Sequence, residues 1–154
     1  MKSGSIPQMG DISDGIVGIT YDTYPQENIP AIPFINEYLA RYLAVSPQLK
    51  RVPYDSAYMN LVVDQLLYTE VLGRAIDKVG YEKLNGQAVK EAMDTIKNFD
   101  TMGLTTPLTF GPDQRQGQNK LRMGKIVWKG PEGIPAIVPM TDWMAPPAGF
   151  EKIK

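Results

Sequence analysis

Apolar residues recur along this chain with two different periods, and the switch between them divides it. Phe34, Ile35, Tyr38, Leu39, Tyr42 and Leu43 repeat at helical spacing. Pro33 suits the first turn of that helix, where its missing N–H is no loss, and Ser46-Pro47 ends the run. From about Ser56 to Val79 the apolar face broadens to Leu61, Val62, Val63, Leu66, Leu67, Val71, Leu72, Ala75, Ile76 and Val79, with Gly80 placed to terminate it. So wide a face predicts a helix buried on most of its circumference. A third, shorter and more exposed helix starts from Asn85 as N-cap. It carries Val89, Ala92, Met93 and Ile96 on one side and Glu91, Asp94 and Lys97 elsewhere.

Strand patterns flank the helices. Ile16, Val17, Ile19 and Tyr21, between Gly15 and the Tyr24-Pro25 break, read as a short β-branched strand that is largely buried. After Phe99 come Leu108 to Phe110, Leu121 to Trp128 and Ala136 to Trp143. Gly130-Pro131-Glu132-Gly133 between the last two is the loop of a closing β-hairpin. The fold class is α/β, and the chain divides into a lead-in over 1–13, one unit over 14–143 and a tail over 144–154.

Composition narrows the function more by exclusion than by assignment. With 16 basic and 17 acidic residues interspersed over 154 positions, no basic face is set aside for a phosphate backbone, so nucleic acid is not an expected partner. The apolar runs are broken by charges well short of the ~20 residues that cross a bilayer. No histidine and no cysteine occur, which removes the commonest general base, the thiol nucleophile and the usual zinc ligands. Asp11 with Asp14, or Asp55 with Asp64, are explained by capping or strand-end solvation. The single carboxylate of Asp113 to Gly117 is too few ligands for Ca²⁺. The expectation is a protein that is not an enzyme and takes no cofactor and no metal.

Particular stretches go further. Asn-Phe-Asp-Thr-Met-Gly-Leu-Thr-Thr-Pro-Leu-Thr-Phe-Gly-Pro over 98–112, the turn Asp113 to Gly117, and Val138 to Trp143 resemble, in that order, the C-terminal end of type I extracytoplasmic solute-binding proteins of the branched-chain amino acid ABC importers. Asp14 to Thr20 is similar to the family strand that ends the second lobe, and Tyr58 to Gly80 to the helix that follows the return to the first. The chain departs from the family at Asp113-Gln114-Arg115-Gln116-Gly117, where Asp-Asp-His-Arg-Gly is common. It departs again at Leu61 and Val62, where an aromatic or glycine is usual.

The resemblance implies a C-terminal fragment of a type I periplasmic-binding-protein fold, with three helices, a parallel-sheet strand and a C-terminal hairpin. It implies a small-molecule ligand, an amino acid, amide or small carboxylate, and an ABC permease as partner of the intact protein. It also implies a periplasmic or extracytoplasmic location, although residues 1–10 have no apolar core of signal-peptide length. The family's aromatic at the inter-lobe cleft falls on Tyr54 and Tyr58, with Asn60 and Tyr21 as further ligand-binding candidates; a tyrosine there stacks on an apolar ligand surface and offers a hydroxyl. Without the family's first half, the long helix lacks the sheet that covers it. The isolated chain is accordingly expected to be a homo-oligomer, a domain swap or poorly folded, and the alternative function is a freestanding protein-interaction or self-associating module derived from that family.

Overall fold

The structure, a computed structural model, describes residues 9–24, 26–43, 56–130 and 136–145. A turn of 3-10 helix at Gly10–Ser13 leads into strand β1 (Val17–Thr20). Helices α1 (Ala31–Leu43), α2 (Ser56–Val79) and α3 (Gly86–Asp94) follow, then strands β2 (Arg122–Val127) and β3 (Ala136–Pro139). The helices form one layer and the strands another, each around its own apolar cluster.

The helical layer is built on one ridge of α2. Met59, Val63, Leu67, Val71 and Ala75, four apart, are all buried. They meet Ala31 and Ile35 of α1, Ala88 and Ala92 of α3, and Ile96, Leu104 and Leu108 of the loops beyond. The ends of α2 and α3 are cut as their sequences predict. Gly80 adopts φ 79°, open to glycine and strained for other residues, and the Asn85 side chain accepts from the Ala88 N–H at 3.0 Å. Arg74 ties the two helices by donating to the Thr95 carbonyl, and Lys78 pairs with Glu91 at 2.8 Å. The far side of α2 stays open, with Leu61 59% and Tyr68 53% exposed. Burial on most of its circumference is therefore corrected to burial along one ridge, because no described element lies over the other side.

The sheet runs in the order β1-β2-β3 and both pairings are antiparallel, so the parallel-sheet strand expected at 16–21 is corrected. That strand is also far from buried, with Ile19 56% exposed. A parallel strand is covered on both faces by its crossovers, whereas an antiparallel edge strand need bury only one. β2 alternates cleanly: Arg122, Gly124 and Ile126 point inward while Met123 and Lys125 point out. The closing hairpin is present, with Ile126 opposite Ile137. Its second strand stops at Pro139 rather than Trp143, as the Met123 N–H turns to the Thr141 hydroxyl at 3.0 Å instead of a backbone partner. The expected strand at 108–110 shrinks to a single bridge between Leu108 and Phe99. The Gly130–Gly133 loop lies largely outside the described residues.

Candidate functional site

Two features stand where the layers meet and on the open side of the helices. The first is a groove of about 580 Å³ between α1 and α2. Phe34 and Tyr38, one turn apart, form one wall; Tyr58, Leu61 and Gln65 form the other, and Phe99 closes an end. The lining is mostly aromatic and aliphatic with a few polar groups, the make-up of a small-molecule site and equally of a surface that awaits a protein neighbour. Burial against this wall pushes the Tyr58 hydroxyl above its ordinary pKa.

The second feature is a buried polar cluster on the segment that carries the chain from β1 to α1. Arg122, at the inward start of β2, donates from Nη1 to Glu27 Oε2 at 2.8 Å and from Nη2 to both Glu27 Oε1 and the Asp22 carbonyl. Trp143 lies over the guanidinium, 4.4 Å from ring centroid to Cζ. Asp22 is itself 3% exposed, and its side chain accepts a hydrogen bond from Asn60 Nδ2 of α2 at 3.3 Å. Burial, only partly offset by Asn60 and by Arg122, pushes the Asp22 carboxyl up to about 6. Tyr24 is buried beside them and its hydroxyl is pushed up for the same reason; it lies near Thr20 but has no hydrogen-bond partner among the described residues. The loop at 101–104 holds the same segment from the other side: the Thr23 N–H donates to the Leu104 carbonyl at 2.9 Å and its hydroxyl to the Gly103 carbonyl at 2.7 Å.

The sequence candidates are spread over these features. Tyr58 lines the groove. Asn60, two residues on and therefore about 200° around the helix, faces Asp22 instead. Tyr21 is exposed on the crossing segment, where its carbonyl accepts from Gln118 at 2.8 Å. Tyr54 lies outside the described residues. Asp14, set aside as strand-end solvation, accepts the Trp128 N–H at 2.9 Å, a structural role at the sheet's end. Among the described residues no group of three or more acidic side chains is placed to hold a metal ion, and no helix is long and apolar enough to cross a membrane. Asp22, Glu27 and Arg122 escaped sequence reasoning. The available signal was Arg122 on the same strand parity as the apolar Ile126, an inward charge that must find a partner.

No protein-family model matches the chain, and neither does any curated protein. Among solved structures, a crystal structure of a branched chain amino acid ABC transporter from Thermus thermophilus with bound valine is similar at a TM-score of 0.74 and 18% identity. The match takes in 96% of this chain and 37% of that one. The fold is thus similar to just over a third of that transporter, with three helices and a three-stranded antiparallel sheet among the described residues.

Proposed function

We propose that the chain is the C-terminal portion of the substrate-binding component of an ABC importer, acting outside the cytoplasm on an amino acid or related small polar solute. The observation that carries this reading is the shared architecture: a helical layer and a small antiparallel sheet joined by crossing segments, superposing on just over a third of a transporter whose structure holds valine. A protein that grips a ligand between two layers needs connections that bend, and no bond is made or broken. Tyr58 is the residue assigned to an apolar part of the solute; Tyr54, Asn60 and Tyr21 are the supporting candidates. A permease receives the closed form of the intact protein.

A second reading, a self-associating module, is favoured by a different observation: Phe34, Tyr38, Leu61, Tyr68 and Leu72 present a large apolar surface on adjoining helices. Thermal melting with light scattering separates the two, run with and without a panel of amino acids, amides and small carboxylates. A cooperative melt raised by one member of the panel, with the gain lost in Tyr58→Ala, supports the importer reading. A ligand-insensitive oligomer supports the module, and a ligand-insensitive monomer overturns both.

A further inference from the structure

The crossing segment between β1 and α1 contains an acid that its surroundings do not accommodate as an anion. An ionised carboxylate offers about four lone-pair sites. Asp22 Oδ2 receives the Asn60 amide at 3.3 Å, while Oδ1 is buried with no hydrogen-bond partner among the described residues. Arg122, the nearby cation, does not repair this. Its two Nη groups are committed to Glu27 and to the Asp22 backbone carbonyl, and its buried Nε has no hydrogen-bond partner among the described residues. The ionisable groups facing Asp22 from the described elements are therefore Arg122 of β2, already neutralised by Glu27 from the segment before α1, and Tyr24 two residues along. From α2 comes only the neutral Asn60.

We propose that Asp22 is a proton-operated latch on the connection between the two layers: neutral, it keeps the crossing segment against α2 through Asn60, and ionised, it releases that segment toward water. The neutral acid needs fewer donors and is far cheaper to bury. The ionised one regains its hydration only by moving outward. That movement gives up the bond to Asn60 and pulls on the neighbouring Thr23 N–H, which donates to the Leu104 carbonyl. The device follows from the buried cluster alone and stands whether or not the chain binds a solute.

The test is a titration of the full chain by carbon-13 NMR at the Asp22 carboxyl, run alongside amide hydrogen exchange at Thr23 and Tyr24. Exchange rates are corrected for their intrinsic pH dependence. The expected result is an Asp22 midpoint well above the ordinary carboxylate range. Protection at Thr23 and Tyr24 falls by about tenfold or more through that titration, while Val71 in the helical core is unaffected. In Asp22→Asn the pH dependence at Thr23 and Tyr24 disappears. An Asp22 that titrates in the ordinary range overturns the proposal, and so does protection that is flat through the titration or falls equally at Val71. If Asp22→Asn does not fold, Asn60→Ala decides: removing a bond that only the neutral, closed form keeps must lower the midpoint, and an unchanged or raised midpoint overturns the latch.

Discussion

At the scale of the residue, the charges at the layer boundary are where burial and chemistry conflict most sharply. Because the folded-state pKa of Asp22 is raised to about 6 from an ordinary value near 3.8, the folded chain binds more protons than the unfolded chain between those values. Stability therefore falls as pH rises through that window and stays low above it. Asp22→Asn removes the charge but keeps the shape. It is expected to flatten stability between about pH 4 and 6 and to raise it at pH 7 by on the order of 2 kcal/mol, measured by urea unfolding at a series of pH values. Little of this was legible in the sequence. Asp-Thr-Tyr after a strand reads as an ordinary turn, and the partners that bury it, Asn60 and Arg122, come from two distant segments. Arg122 bonds a residue 100 positions earlier, beyond the reach of any local pattern.

At the scale of the element, sequence and structure agree best where the signal is local. The N-cap at Asn85 and the stop at Gly80 depend on side chains within a few residues of the backbone groups they satisfy. Asn85→Ala leaves the Ala88 N–H without its acceptor and is expected to cost about 1 kcal/mol in thermal or chemical unfolding, with α3 fraying first. Strand partners and burial are not local. A run of β-branched residues such as Ile16, Val17 and Ile19 fits a covered parallel strand and an antiparallel edge equally well, and only the rest of the sheet decides. Gly124 shows how tightly that choice is fixed, since a Cβ there would lie 2.9 Å from Ile137 Cγ2. Gly124→Val is expected to force β2 and β3 apart and to cost roughly 1–3 kcal/mol, visible as a lower denaturant midpoint. In the candidate site, Tyr58 is a residue that the family resemblance singles out and that lines the groove. The groove itself was not legible in the sequence, because α1 and α2 are separated by 44–55 and nothing in their sequences fixes how they pack.

At the scale of the whole molecule, the open side of α2 and the pairing of β1 with β2 govern behaviour. Leu61 and Tyr68, seven residues apart on one stripe, are exposed where apolar groups of that size are usually covered. Leu61→Lys combined with Tyr68→Lys is expected to leave the buried ridge intact while lowering any concentration-dependent association, read by light scattering across a dilution series. The pairing of Thr20 with Arg122 has a further consequence. It brings together two points separated by about 100 residues, and holding the ends of an unstructured segment of that length together costs on the order of 4 kcal/mol in chain entropy. A folded helical layer removes that cost by delivering its own ends side by side. The three strands are short and half exposed, and their small apolar cluster of Tyr24, Ile126 and Ile137 offsets little of it. Weakening the helical core must therefore be felt first as departure of β1 from the sheet, although among the described residues the two layers hold separate apolar clusters.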